Sequence, residues 1–188
     1  VRYTVANVFI PFTVGGGVRN LGDVETLLRS GADKVSINTA ALARPELIRE
    51  VALRFGSQCM VVSIEAKRTA PERWEAYANN GRDKTGIDAI EWAKRAVELG
   101  AGEILLTSVD QEGSRKGFDV ELVRRIAPFA PIPVIASGGM GSVDHLIDVV
   151  RRGHADAVAM ADILHYKRME LRAIREGART GGLEVRAA

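Results

Sequence analysis

Apolar residues along this chain fall into short runs separated by longer amphipathic stretches. The runs cover residues 10–14, 34–37, 60–64, 103–107, 133–136 and 157–160. Each is too short for a helix and most are rich in Val and Ile, so each reads as a strand. Because the runs are continuous rather than alternating, they predict strands of a parallel sheet buried on both faces. Between them, apolar positions recur at helical spacing over 21–30, 45–55, 88–99, 120–127, 143–152 and 169–176. Gly31, Gly56, Gly100 and Gly153 stand just past four of these stretches, where helices commonly stop. The result is six βα units in one α/β domain, with no linker or low-complexity segment between them. One connection breaks the rhythm. Within residues 67–86, Trp74, Ala76 and Ala78 alternate with Glu75 and Tyr77, and Asn79-Asn80-Gly81 follows, which predicts a small hairpin.

Composition changes this picture little. With 188 residues, 46% hydrophobic and 27% charged, the chain has the make-up of one globular domain with a sizeable core. A net charge of +2, with basic pairs scattered along helical stretches, argues against nucleic acid as a partner. No apolar run approaches the ~18 residues of a membrane span. Cys59 is the single cysteine, so no internal disulfide forms, and a reducing cytoplasm is the expected home. Its apolar neighbours Met60 and Val61 make it a buried structural thiol. His145, His154 and His165 lack metal-ligand spacing, and neither a metal nor another cofactor is expected.

The chain repeats itself. A shift of 122 residues lays "IPFTVGGG" on "IPVIASGG" and Gly31 on Gly153. After a one-residue insertion, "ADKVSINTA" falls on "ADAVAMADI", so residues 10–42 and 132–164 form an internal repeat of two βα units each. Both copies end a strand in paired glycines and then open a helix. A phosphate needs inward-pointing backbone N–H groups and no Cβ in the way, which is what such a turn supplies. In a (βα) barrel these turns lie on the catalytic face. Gly16, Gly17, Asn38 and Thr39 are therefore expected to hold one phosphate. Gly138, Gly139 and the turn at Ala161 and Asp162 are expected to hold a second, across the barrel mouth.

The segments "IPFTVGGGVR", "GADKVSINTAA", "FGSQ", "GAGEILLTSVD" and "IPVIASGG" together resemble the cyclase subunit of imidazole glycerol phosphate synthase, of histidine biosynthesis. The likeness covers nearly the whole chain from Ile10. A sister isomerase of the pathway shares the glycine repeat, but "SINTAA" and "EILLTS" look like the cyclase. The resemblance implies a (βα)8 TIM barrel, here represented by six βα units corresponding to strands 3 to 8, and so an incomplete barrel. It also implies a substrate with a phosphate at each end, a ribulosyl-formimino aminoimidazole carboxamide ribonucleotide. Ammonia converts this into imidazole glycerol phosphate and aminoimidazole carboxamide ribonucleotide. A glutaminase subunit supplying that ammonia is the implied partner in a heterodimer.

Carried over position by position, the family's catalytic fifth-strand Asp falls on Glu65, a carboxylate one methylene longer. Its first-strand Asp has no counterpart, because the chain opens in what would be the second helix. The chain alone is accordingly expected to be inactive and poorly soluble or self-associated, as a fragment of a longer product. Thr107, Ser108, Ser137 and Asn38 match polar residues lining the active site. Glu112, followed by Gly113, stands where the family has a second Asp. Thr39 matches a phosphate-site hydroxyl, but its repeat partner is Asp162, where the family has Ser. A carboxylate facing a phosphate is repulsive, so Asp162 is expected to turn away and leave the holding to backbone amides. Lys34 and Glu103 match a charged ring gating the ammonia passage, and Asp33 and Gln58 match the glutaminase interface. Strand-end ion pairing and capping is the plainer reading of these four. Two readings stand beside the cyclase: the related isomerase, and a phosphate-ligand module without chemistry.

Overall fold

A computed structural model describes residues 1–186. In chain order the elements are α1 (Arg2–Val5), β1 (Thr13–Gly15), α2 (Leu21–Arg29), β2 (Lys34–Ile37), α3 (Thr39–Ala43), α4 (Glu46–Phe55) and β3 (Met60–Ala70). There follow β4 (Arg73–Ala78), β5 (Asp83–Asp88), α5 (Ala89–Glu98), β6 (Glu103–Ser108) and α6 (Val120–Ile126). The chain continues through β7 (Val134–Ser137), α7 (Val143–Gly153), β8 (Ala157–Ala159), α8 (Asp162–His165) and α9 (Leu171–Thr180).

Six strands pair in parallel in the order β1-β2-β3-β6-β7-β8. The curled sheet with alternating helices is an incomplete TIM-barrel-like α/β fold. Four of its helices, α2, α5, α6 and α7, start where the sequence supplies a side-chain oxygen for an orphan N–H. Asn20 accepts from Asp23 N (3.1 Å), Asp88 from Ile90 N (2.9 Å), Asp119 from Leu122 N (3.1 Å) and Ser142 from His145 N (3.4 Å).

The two faces of the sheet differ. Val35, Ile37, Val62, Ile64, Ile104, Leu106, Val134 and Ala136 are buried. They belong to one core with Leu47, Ile48 and Val51 of α4, Trp92 of α5, Leu122 and Ile126 of α6 and Val149 of α7. Each Leu or Ile so buried contributes roughly 1.5–3 kcal/mol. On the inner face Ser36, Ser63, Glu65, Leu105, Thr107, Ile135 and Ser137 are only half-buried. Burial on both faces, expected from the continuous apolar runs, is thus incomplete. The sheet curls without closing, so its inner face stays partly open.

Residues 67–86 depart from the barrel pattern more than a simple hairpin would. β3 runs on to Ala70 and pairs antiparallel with β4, which pairs with β5. The β4–β5 turn is the predicted Asn79-Asn80-Gly81, with φ of 51°, 58° and 71°. Asp119 fastens this excursion to α6. It accepts from the Trp74 indole (2.8 Å) and from Arg68 (3.1 Å) while capping the helix.

Two expectations shift. The first strand begins at Thr13 rather than near Ile10, because Pro11 has no N–H to donate and Phe9 and Ile10 are exposed. Gly153 does not end its helix from outside. It is the last residue of α7, where an added Cβ would sit 3.3 Å from Val123, and His154 takes the left-handed position instead (φ 62°).

The repeat is visible in three dimensions. Residues 10–42 and 132–164 each contain a strand, a helix, a strand and a short helix. Each also carries the same aspartate bridge. Asp33 Oδ2 accepts from Phe12 N at 2.7 Å, and Asp156 Oδ2 accepts from Val134 N at 2.8 Å. The backbone returns the bond in both, Asp33 N to Phe12 O and Asp156 N to Val134 O.

Candidate active site

The two glycine turns follow β1 and β7, which run parallel in one sheet, so both lie on the same rim. Gly16, Gly17, Gly138 and Gly139 have φ of 90°, 73°, 91° and 101°, a region that Cβ-bearing residues avoid. They open into two separate hollows. The first, about 810 Å³, is lined by Gly16, Gly17, Arg19, Asn38, Thr39 and Glu65, and by Asn79, Asn80, Arg82 and Asp83 at the hairpin tip. The second, about 150 Å³, is lined by Gly138, Gly139, Glu112, Gly113, Ser137, Ala161 and Asp162, together with Arg115. Only the first reaches the size of a ligand pocket; the second has room for an end group.

A row of side chains runs between the hollows. Glu65 is level with Thr107 on β6, and Thr107 with Ser137 on β7. Strands lie about 4.8 Å apart, so this row spans roughly 10 Å of sheet. Glu65 borders the first hollow and Ser137 the second.

Burial pushes the Glu65 carboxyl above the ordinary carboxylate range, partly offset by the Gly81 backbone N–H and the Asn38 side chain. Asn38 Nδ2 donates to Tyr77 O at 3.0 Å, while Asn38 Oδ1 and Glu65 Oε2 are both buried without a hydrogen-bond partner. An unpartnered, buried Glu65 Oε2 agrees with that upward direction, because no donor stabilises the charge there. Thr39 Oγ1 is engaged by the hairpin tip, accepting from Asn79 N at 3.0 Å.

Ser108 behaves differently from its sequence neighbour. Thr107 faces inward, but Ser108 is 2% exposed and stands level with the fully buried Ala66. Its carbonyl accepts from Gln111 N and Glu112 N, so it shapes the turn that carries Glu112. Its side chain borders neither hollow. The expected lining role is corrected accordingly: one step along a strand reverses the face.

Asp162 remains at the wall of the second hollow, but its Oδ1 accepts from Arg168 Nε at 2.9 Å. Arg19, Arg82 and Arg115 also line the hollows, though pattern reasoning passed over them. The available signal was an isolated arginine within a few residues of a glycine turn.

Lys34 and Glu103 open β2 and β6, at the edge opposite the glycine turns, and form an ion pair across β3. Gln58 Nε2 donates to Phe55 O at 3.2 Å, and Asp33 makes the strand bridge described above. Cys59 is buried, its Sγ donates to Gly56 O at 3.1 Å, and burial raises its thiol above the ordinary range.

A family model described as "Histidine biosynthesis protein" matches residues 1–170. No helix among the described residues is long and apolar enough to cross a membrane. With nearly the whole chain matched, and with an incomplete TIM-barrel-like sheet whose two glycine turns share one rim, the chain belongs to the histidine biosynthesis protein family, whose members are isomerases or cyclases.

Proposed function

We propose that this chain carries the cyclase chemistry of the family, acting in the cytoplasm on a substrate with a phosphate at each end. The observation that supports it best is the pair of glycine turns on one rim, joined by the row Glu65, Thr107 and Ser137. The segments "SINTAA" and "EILLTS" favour the cyclase over the isomerase. So does the Lys34–Glu103 pair at the opposite edge, where ammonia from a docked glutaminase subunit would enter.

In this reading the Gly16-Gly17 and Gly138-Gly139 amides anchor the two phosphates and hold the substrate in register across the rim. Ammonia bonds to the ketone carbon of the ribulosyl end, and the ketone oxygen leaves as water. That departure needs a proton, and the Glu65 carboxyl, whose hold on a proton is strengthened by burial, is the candidate donor. Ring closure then expels the carboxamide ribonucleotide. A proton acceptor on the far side of the substrate completes the set; the resemblance places it on the family's first strand.

The test is an assay with ammonium salt in place of a glutaminase. The chain alone is expected to bind the bis-phosphate substrate without turnover. Mixed with a protein supplying the first two βα units of a cyclase, it is expected to form imidazole glycerol phosphate only when ammonia is present. Glu65→Gln in the same mixture should lower the rate by about 100-fold or more. Isomerisation that ignores ammonia would assign the chain to the sister enzyme. Binding that never leads to turnover in any mixture would favour a phosphate-ligand module.

A further inference from the structure

The second hollow is an unfavourable place for a phosphate by charge alone. Glu112 and Asp162 line it against a single guanidinium, that of Arg115. In the first hollow Arg19 and Arg82 balance Glu65 and Asp83. A phosphate at Gly138-Gly139 therefore depends on what becomes of the Asp162 carboxylate.

The chain just beyond α8 addresses that problem. Lys167 adopts φ of 52°, a left-handed conformation that a side chain disfavours. This reversal lets Arg168 N donate to Ile163 O (2.9 Å) and Lys167 N to Leu164 O (3.0 Å), closing off the short helix. The Arg168 side chain is carried back against Asp162, Nε to Oδ1 at 2.9 Å, and rests on the Tyr166 ring, 5.0 Å from its centroid. The pair is partly exposed, with 41% and 24% of the two side chains accessible. Such pairs add little to stability, no more than the left-handed Lys167 costs. Stability alone does not account for the arrangement, whereas its placement at the wall of an anion site does.

We infer that Arg168 is a positioning residue that makes the second hollow usable by a phosphate, by holding and neutralising Asp162 from behind. It does not line the hollow, and its effect passes through Asp162. This rests on the two-phosphate reading above and predicts a particular pattern of rescue. Removing Arg168 releases the carboxylate toward the phosphate; removing both residues takes away the repulsion together with its remedy.

The test uses the full chain, inorganic phosphate as the probe, and the backbone amide resonances of the two glycine pairs as separate reporters. In the unaltered chain both pairs should shift. Arg168→Gln should weaken phosphate at Gly138-Gly139 by about tenfold or more, equivalent to about 1.4 kcal/mol, and leave Gly16-Gly17 unchanged. The double variant Asp162→Ser with Arg168→Gln should regain the original affinity within about threefold, a coupling that independent sites do not show. Arg168→Gln binding as well as the unaltered chain, or a double variant no better than the single one, would overturn the inference while the two-phosphate reading stands. Phosphate that moves neither glycine pair in the unaltered chain would overturn that reading and the inference with it.

Discussion

At Gly139 an added Cβ would sit 2.0 Å from the Gly117 carbonyl oxygen, whereas at Gly16 nothing lies within 4 Å. The two turns share a positive φ but not a reason for lacking side chains. Gly139 is pressed against the loop that carries Gly117, whose N–H donates to Gly139 O at 2.8 Å. Gly16 faces open space in the first hollow. Gly139→Ala is therefore expected to lower thermal stability strongly, because backbone must move as well as strain. Gly16→Ala should cost only the ~1–2 kcal/mol of a left-handed side chain, while weakening phosphate at that turn. Melting curves and phosphate titration of the two variants distinguish the roles; equal stability losses would contradict them. Glu65 supplies a second residue-scale prediction. Its folded pKa lies above its unfolded one, so the native state holds the extra proton. The associated stability is present at acid pH and is lost as pH rises through the folded pKa. Glu65→Gln mimics the neutral acid, and should leave the Tm unchanged near pH 4 but raise it near pH 8. A gain independent of pH would contradict a raised pKa.

At the scale of elements, the excursion formed by the end of β3 with β4 and β5 is joined to the start of α6 through one shared carboxylate, beside the Arg68–Glu121 ion pair and the Asn38–Tyr77 and Thr39–Asn79 hydrogen bonds. Asp119 serves the Trp74 indole, the Arg68 guanidinium and the N-terminus of α6 together, with 8% of its side chain exposed. Asp119→Ala leaves a buried indole N–H and a helix end without partners. It is expected to destabilise the chain by about 2–4 kcal/mol, read as a lowered Tm, and to loosen the hairpin tip that lines the first hollow. Asp119→Asn, which can still cap the helix, should cost less; equal losses would contradict the shared role. Much of this level was legible in the sequence, because strand runs, capping residues and the Asn79-Asn80-Gly81 turn are local signals. What was not legible depends on contact or parity. The face to which Ser108 turns follows from strand register, the packing of Gly153 from its approach to Val123, and the hold of Arg168 on Asp162 from a reversal at Lys167 that no turn residue announces.

At the scale of the molecule, the repeat, the shared aspartate bridge and the parallel order place two glycine turns on one rim. Four strand spacings separate β1 from β7 in the order β1-β2-β3-β6-β7, roughly 19 Å along the sheet and less across the curl. One elongated doubly charged molecule can bridge such a gap while its middle lies over Glu65, Thr107 and Ser137. Two unrelated anions could not be held in register in this way. The most direct test is calorimetric titration of the chain with the bis-phosphate substrate, with and without saturating inorganic phosphate. One substrate molecule should bind per chain, and its binding should displace two phosphates. Displacement of one phosphate or none, or two substrate molecules bound per chain, would contradict the account.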